Sequence, residues 1–146
     1  MKPLISIFVL LFSLTTFASG EGSHHHHVSL FTGATHLDDV SYGTLGLEYE
    51  YRLTERWGVG GLYEKIDTEH PITITMLFAC LHLGDLGLTG SYGKEEYDGH
   101  SKYLKRIGAT YNFYFNQYTV APNVAYDFID GGKTDVVYGI LWGVVF

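Results

Sequence analysis

Apolar and polar residues alternate along most of this chain with a period of two. Residues 44–53 read TLGLEYEYRL, in which leucine or tyrosine takes every second position. The positions between them carry Thr44, Gly46, Glu48, Glu50 and Arg52. Successive side chains of a strand point to opposite faces, so this spacing predicts a strand with one apolar and one polar face.

The alternation recurs in eight segments, which predicts an all-β fold. The segments are residues 27–36, 43–53, 57–66, 72–83, 86–94, 102–115, 118–128 and 135–146. Residues 73–83 carry apolar side chains at both odd and even positions, so the sequence does not show which side of this strand faces lipid.

The connections between these segments alternate in length. Residues 54–56, 84–85 and 116–117 are predicted to be tight turns. The other four connections are predicted to be long charged loops, at residues 37–42, 67–71, 94–101 and 129–134. This order predicts strands that run up and down, with all long loops at one end and both termini at the other.

Composition separates a membrane barrel from an ordinary soluble domain. The chain has 146 residues, enough for one domain, and only 17% are charged, against about 25% in soluble domains. Its net charge of −7 and its lack of a basic stripe exclude nucleic acid as a partner. Membrane strands need about 9–11 residues and a closed sheet, which these segments can supply. The sequence therefore predicts an eight-stranded antiparallel up-and-down transmembrane β-barrel. A soluble lipocalin-type barrel, with its apolar face inside, is the competing fold.

The first residues have the pattern of an export signal. Lys2 precedes an apolar run, and ASG at residues 18–20 offers small residues for cleavage. We therefore expect a signal peptide at residues 1–20, a His-rich periplasmic leader at 21–27 and the barrel at 28–146. The only cysteine is Cys80, so no intrachain disulfide is expected.

The C-terminal strand carries an apolar stripe that ends on an aromatic residue. The stripe comprises Tyr138, Ile140, Trp142, Val144 and Phe146. With this strand, the chain resembles the small eight-stranded outer-membrane barrels of the OmpA/OmpX/OmpW type. The resemblance implies a bacterial outer-membrane location with periplasmic termini. It also implies that the terminal stripe is read by the barrel-assembly machinery, and that the partners are outer-membrane lipid and lipopolysaccharide around a monomer.

The polar faces predict what fills the barrel. The lumen of eight strands is narrow enough for side chains to fill it. The expected polar network comprises Glu48, Glu50, Arg52, Glu64, Arg106, Asn112, Asn123 and Asp127. Because lone buried charges are costly, we expect ion pairs there. The network is interpreted as a structural plug, with a gated path, a proton-sensitive switch or a cation site as alternatives.

Two histidine-containing groups could carry chemistry. His24, His25, His26, His27 and His82 are expected near one rim and could hold Zn, Cu or Ni, the metals that imidazole suits. No other cofactor is expected.

At the opposite rim, Ser101 with His100 or His36 has the residue types of a lipid A-modifying hydrolase or acyltransferase. The spacing is not diagnostic, and no catalytic residue is predicted.

The sequence thus favours a structural or surface-interaction protein that acts through its four long loops. A narrow channel or an OmpW-like transporter of small or apolar solutes is the first alternative. A lipid-modifying enzyme of the outer leaflet is the second.

Overall fold

In the computed structural model, which describes residues 25–146, one antiparallel sheet closes on itself as a barrel. Its strands are β1 His26–Leu37, β2 Val40–Arg52, β3 Trp57–Ile66, β4 Ile72–Leu83, β5 Leu86–Tyr97, β6 His100–Tyr111, β7 Phe113–Phe115, β8 Tyr118–Ile129 and β9 Lys133–Val145. The signal peptide expected at residues 1–20, most of the expected leader, and His24 lie outside the described residues. Within residues 25–146, no helix is long and apolar enough to cross a membrane.

The first and last strands pair with each other and close the barrel. The nine strand segments form eight barrel strands, called wall strands here. β1 pairs with β9 from His27 opposite Val145 to His36 opposite Val136. β6 and β7 both pair with β8, so they are two parts of one wall strand. The predicted closed eight-stranded antiparallel barrel is therefore confirmed.

Pro122 explains why the sixth wall strand is divided. The register that pairs Thr110 with Asn123 and Phe113 with Val120 puts Pro122 opposite Tyr111. Proline has no N–H to donate to the ladder, and the pairing is interrupted there. Asn112, between β6 and β7, donates its backbone N–H to the carbonyl oxygen of Asp85 at 2.8 Å, on the side away from β8.

The two ends of the barrel differ in their connections. We call the end where β1 begins and β9 ends the terminal rim, and the opposite end the far rim. The terminal rim carries the short turns at 53–56, 84–85 and 116–117, as predicted.

At the far rim, the prediction of a long loop is wrong for three of the four connections. The chain turns there over residues 38–39, 98–99 and 130–132, and only the connection at 67–71 has the predicted length. Asp38, Asp39, Asp98 and Gly99 all have positive φ, between 44° and 77°. Two successive residues of positive φ form the two-residue hairpin turns that suit twisted strands. The paired strands therefore extend into sequence that looks like loop.

The outward face is an apolar surface with aromatic residues toward both rims. Exposed aromatic side chains near the terminal rim are Tyr49, Tyr51, Trp57, Tyr111, Phe113, Phe115 and Trp142. Those toward the far rim are Tyr63, Tyr92, Tyr103, Tyr126, Phe128 and Tyr138. Exposed aliphatic residues lie between the two groups, among them Leu47, Leu77, Ile107, Val124 and Ile140. This arrangement has the apolar band and aromatic girdles of a transmembrane barrel.

The inward face of β4 settles the ambiguous segment. Ile74, Met76, Phe78, Cys80 and His82 are all buried in the lumen, while alternate residues such as Leu77 are exposed outside. The lumen is therefore not polar throughout. Toward the far rim it is filled by an apolar layer, which comprises Leu37, Leu62, Ile66, Ile74, Met76, Phe78, Leu104 and Ile129.

Candidate functional site in the lumen

Arg106 is the centre of one buried ion cluster in the lumen. Its Nη1 and Nη2 donate to the two carboxylate oxygens of Glu64 at 2.7 and 2.8 Å. Its Nε and Nη2 donate to the two oxygens of Asp127 at 2.6 and 2.9 Å. All three side chains are buried, and the guanidinium is held by two bidentate contacts, the strongest geometry available to arginine.

The strand order accounts for this cluster. Arg106 and Asp127 are directly opposite each other on β6 and β8, so their side chains leave the sheet together. Glu64 comes from β3, which is separated from β6 by two strands, and reaches Arg106 across the lumen. Gly46 beside it leaves the space, since a Cβ at that position would lie 2.8 Å from Cγ of Glu64.

A second polar cluster lies nearer the terminal rim, around Glu50. Its Oε1 is 2.6 Å from Nε2 of His82, and its Oε2 is 3.9 Å from Nδ1 of His27. Nε of Arg52 lies 3.5 Å from Oε1 of the same carboxylate. Cys80 adds its thiol, because the potential ligand atoms of Glu50, Cys80 and His82 lie within 4.8 Å of one another.

Glycines on β3 allow Glu50 to reach β4. Gly58 and Gly60 lie between the two strands, and a Cβ on Gly58 would collide with the Glu50 carboxylate. A Cβ on Gly60 would likewise lie 2.6 Å from the ring of Phe78. The glycine-rich GVGG segment at 58–61 thus makes space for lumen side chains.

The remaining members of the expected polar network are more scattered. Glu48 is inward and half-buried, and among residues 25–146 no hydrogen bond or ion pair to it is formed. Nδ2 of Asn112 donates to the carbonyl oxygen of Asp85 at 3.0 Å, at the terminal rim. Asn123 lines the same lumen cavity as Glu48. The structure thus divides the expected single network into two ion clusters with separate partners.

Little space remains between these groups. The cavity that both clusters line has a volume of about 40 Å³. A buried water needs roughly 10–15 Å³, so the cavity can hold a few waters and no larger solute. The apolar layer closes the lumen beyond it.

The far rim opens into a recess, which we call the vestibule. Its volume is about 520 Å³, and its wall includes Glu95, Lys102, Lys133, Asp135 and His70 over an apolar floor. Asp135 is 3% exposed, and its Oδ1 has no hydrogen-bond partner among residues 25–146. The sequence did not single out the vestibule, because three of its turns were read as long loops.

The expected metal-binding histidines are divided between faces. His27 points into the lumen, whereas His26 lies outside, where its Nδ1 is 2.8 Å from the hydroxyl of Tyr49 and its ring stacks on Phe146. Nδ1 of His25 is 3.0 Å from the carbonyl oxygen of Arg52 at the rim. His27 and His82 therefore meet through Glu50, apart from the other two.

Cys80 was missed by the sequence reasoning. It stands two residues before His82 and therefore shares its face in a strand. Because His82 is polar and the outward face is apolar, His82 indicates in the sequence that the face it shares with Cys80 points into the lumen.

The candidate catalytic residues do not form a catalytic arrangement. His36 Nδ1 is 3.1 Å from Oγ of Ser41, not of Ser101, and Ser41 Oγ is 3.1 Å from the hydroxyl of Tyr138. Within residues 25–146 no carboxylate is hydrogen-bonded to the His36 ring. Ser101 and His100 are exposed at the beginning of β6.

The terminal stripe runs along the outward face of β9. Tyr138, Ile140 and Trp142 are exposed there, and Val144 lies on the same face but is covered. Trp142 Nε1 donates to Oγ1 of Thr32 at 2.9 Å. The backbone of Phe146 exchanges two hydrogen bonds of 2.9 Å with His26, so the stripe reaches the seam between β9 and β1.

Solved structures share this architecture. The N-terminal β-barrel domain of Pseudomonas aeruginosa OprF matches with a TM-score of 0.69 and 17% identity, over 86% of this chain and 100% of that one. Yersinia pestis Ail, in a phospholipid bilayer nanodisc, matches with a TM-score of 0.58 and 14% identity, over 85% and 100%. Neisserial surface protein A matches with a TM-score of 0.56 and 8% identity, over 88% and 100%.

These matches identify the fold as that of the small outer-membrane β-barrels. No protein-family model matches the chain, and no curated protein sequence matches it. At such low identity the likeness is one of architecture, so function has to be argued from the lumen and the rims.

Proposed function

We propose that this protein is an integral outer-membrane β-barrel with a structural or surface-interaction role and a lumen that does not conduct solutes. The closed lumen is the observation that carries the proposal. The Arg106 cluster and the apolar layer together fill the lumen, and the cavity left between side chains has a volume of about 40 Å³. A water-filled path, which a channel or a transporter of small solutes needs, has no room there.

The outward face supports the membrane part of the proposal. Its apolar band and two aromatic groups match the girdles of outer-membrane barrels. Toward the far rim, the outward face also carries the exposed Lys65 and Lys105, and Lys94, whose Nζ lies 2.6 Å from Oε1 of Glu96. Cations at that level suit contact with anionic lipopolysaccharide, with the terminal rim toward the periplasm. The stripe that ends at Phe146 is then accessible to the assembly machinery.

The far rim limits how a surface interaction can occur. Three of its four connections are turns of two or three residues, which offer little area to a partner. The vestibule and the connection at 67–71 are the surfaces left for contact. A surface role therefore rests on these two features and not on four extended loops.

The same rim supports the proposal of a non-enzymatic role. The His36–Ser41 pair is exposed and its imidazole has no carboxylate partner among residues 25–146, so nothing orients it as a base. Lipid A profiles should stay the same in strains that carry Ser41→Ala, Ser101→Ala or His100→Ala. An altered profile with any of them would favour the enzyme alternative.

The experiment that tests the proposal combines fractionation with conductance. We expect the protein in the outer-membrane fraction, with a gel mobility that changes on boiling. We expect no conductance steps when the same folded material enters planar bilayers. Steady conductance steps from the wild-type protein would overturn the closed lumen. A soluble periplasmic protein with no mobility shift would overturn the membrane assignment.

A further inference from the structure

We propose that the lumen holds a transition-metal site, with Zn²⁺ as the preferred ion, between His27, Glu50, Cys80 and His82. Each residue belongs to the inward face of β1, β2 or β4, near the terminal rim. Two imidazoles, one carboxylate and one thiol form a donor set that zinc takes in proteins. This site goes beyond the structural role and does not depend on it.

The spacing of the donor atoms is close to what one ion requires. Ligands bound tetrahedrally at about 2.0–2.3 Å are roughly 3.3–3.7 Å apart. Nε2 of His82 is 2.6 Å from Oε1 of Glu50, and Nδ1 of His27 is 3.9 Å from the other oxygen, Oε2. The donor atoms of Glu50, Cys80 and His82 lie within 4.8 Å of one another. Glu50, Cys80 and His82 thus form the close part of the proposed site, and His27 is its fourth ligand through its approach to the Glu50 carboxylate.

The contacts of His27, on β1, involve its Nε2 and leave its Nδ1 available to bind an ion. Nε2 of His27 is 2.8 Å from Oγ1 of Thr119 and 3.2 Å from Oγ of Ser29. Metal-binding histidines usually engage their second nitrogen with such an oxygen, which fixes the ring. Nδ1 of His27 then faces Glu50, where the ion would lie.

The second ring nitrogen of His82 is a buried polar atom that the contact with Glu50 does not use. His82 is 5% exposed, yet its Nδ1 has no hydrogen-bond partner within the described part of the chain. Because Nε2 faces Glu50 and would bind the ion, Nδ1 would remain the second nitrogen, which metal-bound histidines usually engage in a hydrogen bond outside the ligand set.

The charges around the cluster also favour a cation. Glu50 has one guanidinium nearby, Arg52 at 3.5 Å, and Glu48 forms no ion pair among residues 25–146, while Arg106 is engaged with two other carboxylates. A divalent ion bound by the Glu50 carboxylate and the Cys80 thiolate would be neutralised by them.

Cobalt provides a direct test, because a thiolate bound to Co²⁺ gives a charge-transfer absorption that histidine or carboxylate ligands do not. The protein should be titrated in detergent in its folded, heat-modifiable form. We expect one Co²⁺ per chain with this absorption, and its displacement by Zn²⁺. Cys80→Ser should abolish the thiolate absorption, and His82→Asn should weaken binding at least about tenfold.

Two control variants separate this site from adventitious binding. Replacement of His24, His25 and His26 by asparagine removes the other histidines of the run and leaves His27 in place. Ser91→Ala removes a cavity-lining hydroxyl that has no partner among residues 25–146. Both variants should bind Co²⁺ within about twofold of wild type, since neither changes a ligand.

Two outcomes would overturn the proposal. One is folded wild-type protein without the thiolate absorption. The other is binding that survives His82→Asn but is lost with the three leader histidines. If a lumen variant does not fold, the wild-type protein alone still decides. Zn²⁺ should raise the temperature at which its folded gel band is lost, and a chelator should reverse the shift. No shift, together with no thiolate absorption, refutes the site.

Discussion

Asp127 and Asp135 lie directly opposite each other on β8 and β9, and both side chains are buried on the inward face. Only one of them has a compensating charge in contact. Asp127 forms two hydrogen bonds with Arg106, whereas Oδ1 of Asp135 has no partner among residues 25–146. Like charges in directly opposed positions destabilise a sheet. The pair therefore contains one stabilising and one destabilising carboxylate at adjacent positions.

Asp135→Asn should increase stability by about 1 kcal/mol, because it removes a buried, poorly paired charge and keeps the side-chain shape. The measurement is urea unfolding of the folded protein in detergent. Asp127→Asn is the matched control and should lower stability, since it weakens the contact with Arg106. The interpretation fails if both substitutions change stability in the same direction.

Arg106→Met should lower stability by about 3–5 kcal/mol, because it leaves Glu64 and Asp127 buried without a cation. The same unfolding measurement checks this. Adding Glu64→Gln and Asp127→Asn to that variant should recover much of the loss, since no uncompensated charge then remains. A triple variant that is no more stable than Arg106→Met would show that shape, not charge, determines the cost.

Gly58→Ala should destabilise the barrel by about 1–3 kcal/mol, because its Cβ would occupy the place of the Glu50 carboxylate. Gly61→Ala is the control on the same strand. A Cβ there points outward and would lie 3.5 Å from its nearest neighbour, an ordinary contact. We expect that variant to unfold within about 0.5 kcal/mol of wild type. Equal losses at both positions would contradict the space-making role of Gly58.

Asp39→Gly should raise stability by a few tenths of a kcal/mol or more. Asp39 has a φ of 70°, in the left-handed region that glycine adopts freely. Gly43→Ala is a useful comparison, since it makes the reverse exchange, from glycine to a residue with a side chain, near the same turn. A Cβ at position 43 would meet nothing within 4 Å. Thermal loss of the folded gel band measures both. A lower transition temperature for Asp39→Gly would indicate that its side chain contributes to the turn.

The alternation of side chains predicted the barrel well because most strands have a mainly apolar outward face. Leu45, Leu47 and Tyr49 are exposed outside, as their spacing predicts. The far-rim turns were wrong because charge and glycine mark both loops and tight hairpins. The Asp98–Gly99 pair is itself a hairpin signal that the length of the charged segment obscured.

The lumen was predictable in its charged half only. Arg106, Glu64 and Asp127 stand at polar positions in otherwise apolar alternation, and they meet. Ile74, Met76 and Phe78 were not assignable, because both faces of β4 are apolar and periodicity gives no direction. The distribution of charges between two clusters depends on which strands face each other across the barrel, which local pattern does not contain.

The short connections of the far rim leave few positions at which foreign sequence could be inserted for surface display. A turn whose backbone needs positive φ at successive residues tolerates little inserted sequence, and three of the four connections there are of this tight kind. The stretch at 67–71 is the place where an epitope or a reporter could be carried without disturbing the sheet. With the far rim toward the cell exterior, as proposed, the protein would otherwise present a ring of hairpins around the charged vestibule. Antibodies would find few continuous segments on it to recognise.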